Sequence, residues 1–415
     1  MAAPTSRSDN SNSGRPRMRA RSRDEEHRAS TPLELFFDLC FVVAVAQAAS
    51  LLEHAVLIDQ PFHAATGYLT VFFAIWWAWM NFTWFASAYD SDDVPYRLLT
   101  FVQIIGVLIL AAGVPRAFED QNYSIVTLGY VVMRTALVSL WLRAAHDEPE
   151  QSATSKRYAV GISVCMLGWL GLLVVPQGIH TVGFLFMVLA ELSIPAWAER
   201  SGATSWHPGH IAERYGLFTL IVLGEAVAAT TAAYQSAFSQ VDISPKLVSI
   251  LIGGPLIIFS MWWLYFVKSA ARFLTDSRRA FVWGYGHYLI FGSAAAVGAG
   301  IAANLANLAE VNEPVLEVTT HLATEQTAQM HAAIGLSLTI PVAIFTMTVF
   351  LLHLSPHRRD RFLLVVFGIG SAAMILSSFT PAPVPITGVI LAVLVATGGI
   401  RSARLGGGHQ SAVLA

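Results

Sequence analysis

Apolar runs of about 20 residues recur along almost the whole chain, and they constrain the fold more than any other feature. A run of this length is what one helix needs to cross the hydrocarbon core of a bilayer. Of the 415 residues, 55% are hydrophobic and only 13% are charged, whereas soluble domains carry about 25% charged residues. The sequence therefore predicts an all-α polytopic integral membrane protein.

About twelve of these runs are predicted to be transmembrane helices. They lie near residues 33–52, 67–88, 97–114, 124–144, 158–175, 179–198, 211–233, 247–267, 281–304, 331–354, 361–378 and 385–400. With an even number of spans, the two ends of the chain lie on the same side of the membrane.

The distribution of Lys and Arg indicates which side that is. If the N-terminus is cytoplasmic, 22 of the 25 Lys and Arg residues fall on the cytoplasmic side. Only Arg116 and Lys246 fall outside, and Arg134 lies within a span. Cytoplasmic loops are enriched in positive charge. We therefore expect both termini to be cytoplasmic.

Both ends of the chain are polar. Residues 1–30 contain seven Arg residues and no apolar segment of the kind found in secretory signal peptides. They are predicted to form a disordered basic cytoplasmic tail. Residues 401–415 are predicted to form a flexible C-terminal tail.

The two halves of the chain resemble each other. "TPLELFFDLCFVVAVAQAAS" and "HIAERYGLFTLIVLGEAVAA" each begin a helix, and each is followed by a helix with a central Trp pair and then an Asp-Ser turn. The pairs Trp76–Trp77 and Trp262–Trp263 are 186 residues apart. This pattern predicts two six-helix repeats, residues 31–205 and 206–400. An offset of six spans makes the repeats parallel, related by an axis along the membrane normal.

Three segments also carry a family resemblance. "PLELFFDLCFVVAVAQ", "FFAIWWAWMNFTWFASAYDSDDVPYRLL" and "HIAERYGLFTLIVLGEAV" resemble the bacterial low temperature requirement protein A (LtrA) family, and the resemblance extends over most of residues 31–400. It implies an integral membrane protein of the bacterial cytoplasmic membrane. It assigns no substrate and no catalytic residue.

Two carboxylates lie at the start of the first span, and they are expected to have different roles. Thr31, Pro32 and Glu34 have the spacing of a capping box, with Thr31 as N-cap and Glu34 as the third helical residue. Asp38 lies one turn deeper on the same helical face and is not needed for the cap. It is expected either to pair with a neighbouring helix or to contact a substrate, proton or ion.

Ionisable residues inside spans are costly, and therefore they mark candidate sites. Arg214 and Glu225 are eleven residues apart in the seventh span, which places them on one helical face about 16 Å apart along the axis. Glu225 is the strongest single candidate for a functional carboxylate. A structural ion pair between Glu225 and Arg134 is the alternative.

Three further polar residues complete the candidate intramembrane site. Glu191 lies in the sixth span, nearer the cytoplasmic end than Glu225. His287 in the ninth span fits a hydrogen-bonded core histidine, with a ligand-binding role as the alternative. Asn81 shares a helical face with Trp77 and Trp84, which indicates aromatic packing or, alternatively, a stacking surface for an organic ligand.

No sequence motif indicates catalysis, and no cofactor is predicted. The chain has no phosphate-binding loop, no paired metal-ligand motif and no nucleophile elbow. Its near-neutral charge does not indicate nucleic-acid binding. The favoured hypothesis is a secondary transporter or permease for a small solute or ion, with the lipid bilayer as its surroundings and intramembrane carboxylates for proton or ion coupling. The alternatives are a structural or assembly protein without chemistry, and a membrane-embedded enzyme that modifies lipids.

Overall fold

The computed structural model describes residues 17–21, 29–58, 60–89, 91–240, 242–268, 270–274, 276–311, 321–353 and 361–410. This part of the chain contains twelve α-helices and no β-strand. The helices are α1 (Pro32–Leu57), α2 (Pro61–Tyr89), α3 (Val94–Glu119), α4 (Ser124–Asp147), α5 (Ser152–Leu172), α6 (Gln177–Ala198), α7 (Pro208–Gln240), α8 (Pro245–Phe266), α9 (Ser277–Val311), α10 (His321–His353), α11 (Arg361–Leu376) and α12 (Pro383–Gln410).

Within the described residues, eleven helices are long and apolar enough to cross a membrane. The remaining helix, α5, carries Lys156 and Arg157 in its first two turns, so its apolar part is shorter. The prediction of an all-α polytopic membrane protein is confirmed.

Proline and capping residues define where the helices begin. Five helices, α1, α2, α7, α8 and α12, start at a proline, whose fixed φ suits the first helical position and whose missing N–H is not needed there. Ser244 caps α8 by accepting a hydrogen bond from the Leu247 N–H at 3.2 Å. Asp93 caps α3 in the same way through the Tyr96 N–H at 3.0 Å.

Helices α2 and α9 lie at the centre of the bundle and are largely buried. The close approach of α9 to its neighbours depends on small residues. A Cβ atom added at Gly298 would lie 2.8 Å from the Cα of Ala226 in α7, and one added at Gly300 would lie 2.7 Å from the Cα of Leu338 in α10. The run of small residues in α9 therefore allows its backbone to contact those of α7 and α10.

The neighbours of the first six helices recur among the last six. Helix α1 packs against α3, α3 against α4, α4 against α5 and α5 against α6; likewise α7 packs against α9, α9 against α10, α10 against α11 and α11 against α12. The two sets of six also meet directly, because α1 contacts both α7 and α9.

The two Trp pairs that suggested the repeat occupy different environments. Trp76 and Trp77 are buried in the bundle, with 2% and 0% of their surface exposed. Trp262 and Trp263 are exposed on the surface of α8, at 45% and 57%. Apolar helices share such residue pairs without sharing their packing, so the Trp pairs are poor markers of equivalent positions.

Both predicted tails contain ordered residues. In residues 17–21, the side chain of Met18 is fully buried, and its N–H donates to the Asp147 carboxylate at 3.0 Å. The Arg21 N–H donates to the Ala88 carbonyl at 3.0 Å. This part of the 1–30 segment is packed rather than disordered, while residues 1–16 and 22–28 lie outside the described residues. At the other end, α12 continues to Gln410, so most of the segment predicted to be a flexible tail is helical.

Candidate functional site

Asp38 of α1 and Arg214 of α7 form an ion pair where these two helices meet. The Arg214 Nε lies 3.0 Å from Asp38 Oδ2, and the Arg214 Nη2 lies 2.5 Å from Asp38 Oδ1. This is the two-pronged geometry in which a guanidinium recognises a carboxylate most strongly. Helix α2 adds two contacts, because the Trp79 indole N–H donates to Asp38 Oδ1 at 2.7 Å and Thr83 Oγ1 lies 3.4 Å from Arg214 Nη2.

Glu34 has two roles at the same place. Its carboxylate accepts from the Thr31 N–H at 2.8 Å while the Thr31 hydroxyl accepts from the Glu34 N–H at 3.2 Å, which completes the capping box of α1. The same carboxylate lies 3.0 Å from Arg214 Nη1 and 3.2 Å from His210 Nε2. From the sequence, Glu34 was assigned only to the helix cap. In the structure it belongs both to the cap and to the buried charged cluster.

Glu34, Asp38, His210 and Arg214 together form what we call the α1–α7 network. All four side chains are completely buried. Arg214 carries one permanent positive charge and faces two carboxyl groups, so these four side chains taken by themselves are neutral only when they hold one additional proton, on His210 or on a carboxyl group. Because an uncompensated buried charge is costly, this arrangement favours the binding of one proton.

A second buried ion pair joins α4 and α6. The Arg134 Nη2 lies 3.2 Å from Glu191 Oε2, and both side chains are nearly inaccessible. Two indole groups complete the coordination of Glu191, because Trp77 donates at 2.8 Å and Trp169 at 3.1 Å. The guanidinium of Arg134 also stands 5.0 Å from the ring centroid of Tyr130. The predicted alternative pairing of Arg134 with Glu225 is therefore wrong, since Glu191 is its partner.

Helix α2 connects the two buried ion pairs. Trp77 donates to Glu191 of the α4–α6 pair, and Trp79, two residues later, donates to Asp38 of the α1–α7 network. Residues two apart project from different faces of a helix, so α2 lies between the two charged clusters. A shift of α2 along or about its axis would alter the hydrogen bonds of both.

Glu225 and His287 stand apart from these clusters. The Glu225 side chain is half-buried on α7, and within the described part of the chain no Lys, Arg or His pairs with it. His287 is fully buried; its Nε2 lies 2.9 Å from the Tyr265 hydroxyl, and its Nδ1 lies 2.7 Å from the Trp283 carbonyl. That is the environment of a hydrogen-bonded core histidine.

Asn81 lies at the edge of a cleft lined by aromatic side chains. Its side-chain N–H donates to the Trp77 carbonyl one turn earlier, at 2.6 Å, and it borders the cleft together with Trp84. In the part of the chain that the structure describes, Asn81, which was grouped with the ionisable residues from the sequence, forms no hydrogen bond with either ion pair. Among the described residues, no group of three or more His, Cys, Asp or Glu side chains is arranged to hold a metal ion.

His210 was not among the residues that the sequence singled out, although a signal for it exists. Aligned by their helix starts, α1 reads Thr-Pro-x-Glu-x-x-x-Asp and α7 reads His-Pro-x-His-x-x-x-Arg. His207 even takes the capping place of Thr31, because its Nδ1 accepts from the His210 N–H at 3.1 Å. An alignment of α1 with α7 on their starting prolines, rather than on the Glu and Trp residues, would have identified His210.

The fold and these clusters define a polytopic α-helical membrane protein with ion pairs buried between its helices. Residues 29–398 match the family described as bacterial low temperature requirement A protein (LtrA). The chain belongs to this family, as the three sequence segments suggested.

One relative is an uncharacterized protein of Rhizobium meliloti (strain 1021). It is 27% identical over 286 residues, which cover 65% of this chain and 67% of the relative. No solved structure matches the chain.

Proposed function

We propose that the protein is a secondary transporter of the bacterial cytoplasmic membrane, in which protonation of the α1–α7 network is coupled to the movement of a small solute. The observation that carries the proposal is the complete burial of Glu34, Asp38, His210 and Arg214 at one helix crossing. Charged side chains within membrane helices are costly, and they are typical of ion and proton pathways. Two carboxylates that share one guanidinium supply a reason to bind and release a proton.

The positions of these residues support an internal duplication. Glu34 and His210 are 176 residues apart, and so are Asp38 and Arg214. Each therefore contacts the residue at its own position in the other half, as expected at the axis of a two-fold arrangement. We infer two parallel six-helix repeats with an axis along the membrane normal, and both termini in the cytoplasm. Carriers with such repeats bind their substrates between the halves.

The coupling has a physical basis in the geometry. With a proton bound, the α1–α7 network is neutral, and the contact between the halves is stable. Without it, two carboxylates share one guanidinium in a medium of low dielectric, and the resulting net negative charge weakens that contact. Proton binding and release would thus favour different arrangements of the halves, as alternating access requires.

A structural role is the second candidate, and one observation favours it. Asp38 is bound on both oxygens, by Arg214 and by the Trp79 indole. A closed network of this kind could serve only to fasten α1 to α7. In that case proton binding would have no consequence for solute movement.

The test is uptake into proteoliposomes that contain the purified protein, with and without an imposed pH gradient, over a panel of organic and inorganic solutes. Glu34→Gln is the decisive variant, because Gln at the third helical position preserves the capping box while removing the charge. The matched control is Asp92→Asn, which removes an exposed carboxylate that pairs with Arg97. Gradient-driven uptake should be lost in Glu34→Gln and retained in Asp92→Asn. Uptake that is independent of the gradient, or an unaffected Glu34→Gln variant, would contradict the proposal.

A further inference from the structure

Residues 17–21 form a short non-helical segment at the end of the bundle where α1 and α7 begin. Their side chains alternate between two environments. Met18 is completely buried and Ala20 is partly buried, whereas Arg17 and Arg19 are exposed. An alternation with a period of two residues is typical of an extended chain that lies with one face on a surface. We call residues 17–21 the N-terminal strap.

Three backbone hydrogen bonds attach the N-terminal strap to two helices. The Met18 N–H donates to Asp147 Oδ2 at 3.0 Å, and the Ala20 N–H donates to Glu148 Oε2 at 3.2 Å. The Arg21 N–H donates to the Ala88 carbonyl at 3.0 Å. The strap therefore joins the end of α4 to the end of α2.

The two carboxylates that receive the strap lie where a helix alone disfavours them. Asp147 is the last residue of α4, and Glu148 follows it. The C-terminal end of a helix carries partial negative charge, which repels carboxylates. Arg143 compensates Asp147 in part, because its Nε lies 3.5 Å from Asp147 Oδ2. The N–H groups of the strap add hydrogen bonds to ionised acceptors, which are stronger than bonds between neutral groups. The end of α4 thus has the chemistry of a receptor for the strap.

The chain that precedes α1 is also attached to the second set of six helices. The Ser30 N–H donates to Glu213 Oε1 of α7 at 3.1 Å. Close by, the two sets meet directly, because the His207 N–H, just before α7, donates to Ser87 Oγ of α2 at 3.0 Å. The same stretch of chain is therefore fastened to α2 and α4 on one side and to α7 on the other. Separation of the two sets at this end would require some of these attachments to break.

We propose that the N-terminal strap is a detachable latch that holds this end of the bundle closed. One fully buried side chain and three hydrogen bonds hold it, and these gains are similar in size to the conformational entropy lost when five residues become ordered. The strap can therefore detach while the helices stay folded. Its detachment removes the link between α2 and α4 and allows α2 to move away from α7. As a gate for alternating access the latch rests on the proposed function, but its attachment and release do not.

The first measurement is hydrogen exchange, read by mass spectrometry, on the purified full chain in lipid nanodiscs. The amides of Met18, Ala20 and Arg21 should exchange more slowly than in an unstructured chain, by about tenfold or more. Met18→Asp places a charge in an apolar site beside two carboxylates and should abolish this protection, whereas Met18→Leu should retain it. Unprotected amides in the wild-type strap would overturn the inference.

The second measurement separates a latch from packing that has no consequence. Ser87→Cys places a thiol where α2 meets the residue before α7, in a chain whose Cys40 and Cys165 are replaced by Ala. Opening of this end exposes the thiol to a water-soluble maleimide. Met18→Asp should accelerate labelling by about tenfold, in proportion to the larger open population, and Met18→Leu should leave the rate unchanged. Equal labelling rates with Met18→Asp and with Met18 would overturn the inference.

A matched pair of carboxylate variants tests the receptor side of the latch. Glu148→Ala removes the acceptor of the Ala20 N–H and should also accelerate labelling, whereas Glu150→Ala, in the exposed turn after α4, should not. Equal rates in these two variants would contradict a role for the end of α4. Labelling requires no solute, so faster labelling without any transport would contradict only the proposed function. Proton-coupled transport with unchanged labelling would contradict only the latch.

Discussion

Asp38 and Arg214 occupy the same position in α1 and α7, 176 residues apart in the chain, and they contact each other through two hydrogen bonds. Helices that contact each other at equal positions run in register, and each contributes one member of the pair. At this point of the junction between the two sets of six helices, α1 contributes the negative group of an ion pair and α7 the positive group.

Breaking this pair should destabilise the protein. Arg214→Met leaves the Glu34 and Asp38 carboxylates buried without their guanidinium partner, and loss of one partner of a buried ion pair typically costs about 3–5 kcal/mol. The free energy of unfolding in mixed detergent micelles should fall by this amount.

The matched experiment replaces both partners. In Asp38→Leu with Arg214→Met no ionised group of the pair remains, although Glu34 and His210 still face each other. Arg214→Met alone leaves two buried carboxyl groups without their guanidinium, whereas apolar substitution of an entire buried pair is often nearly neutral. This double variant should therefore be more stable than Arg214→Met alone. Additive losses from the two single substitutions would show that the residues do not interact.

Glu191, which belongs to the α4–α6 pair, should contribute more to stability than Glu225. Glu191→Gln removes the charge opposite Arg134 and weakens the hydrogen bonds from Trp77 and Trp169, so we expect a loss of about 2–4 kcal/mol in unfolding free energy. Glu225→Gln removes a half-buried carboxyl group that has no ionic partner in the described part of the chain. It should cost less than about 1 kcal/mol. Equal losses would contradict this assignment of partners.

The packing of α3 against α4 depends on Gly129. A Cβ atom added there would lie 2.6 Å from the Gly106 carbonyl oxygen and from the Leu110 nitrogen, and these backbone atoms cannot move aside independently. Gly129→Ala should lower the unfolding free energy by about 1–3 kcal/mol. Gly224→Ala meets nothing within 4 Å, so it should be neutral or slightly stabilising. A neutral Gly129→Ala would mean that the two helices are farther apart.

Asp93, in the turn before α3, should stabilise the protein at neutral pH, and this stabilisation should be lost in acid. The Arg143 guanidinium bound to Asp93 holds the pKa of that carboxyl group below its usual range. A carboxyl group with a lowered folded-state pKa stabilises the fold fully above its unfolded pKa, and this stabilisation is lost as the pH falls through the folded pKa.

The measurement is the melting temperature of wild type and variants from neutral pH into the acid range. Asp93→Asn retains a capping side chain but lacks the titration, so its melting temperature should fall less steeply with acid. Asp92→Asn removes an exposed pair that solvent screens, and it should follow wild type. Identical acid profiles for Asp93→Asn and wild type would contradict a role for the Asp93–Arg143 pair.

The length and apolarity of the spans predicted the membrane class and the twelve helices, because each span must satisfy its backbone within its own helix. The partners of the buried charges could not be predicted in this way. Arg134 and Glu225 seemed matched by depth, but Arg134 pairs with Glu191 because α4 and α6 both pack around α5. Helical periodicity predicts the face of a helix on which a residue lies. It does not predict which other helix packs against that face. His210 was missed because its helix was aligned on residue types rather than on its starting proline.

The central claim is that a proton on the α1–α7 network drives solute accumulation, and the most direct measurement compares two modes of transport in one variant. Counterflow exchanges solute for solute and needs no net proton movement, whereas accumulation against a gradient does. Glu34→Gln proteoliposomes should therefore retain counterflow while losing accumulation driven by a pH gradient, with Asp92→Asn retaining both. If Glu34→Gln retains both modes, or loses both while still correctly folded, the network does not couple a proton to transport.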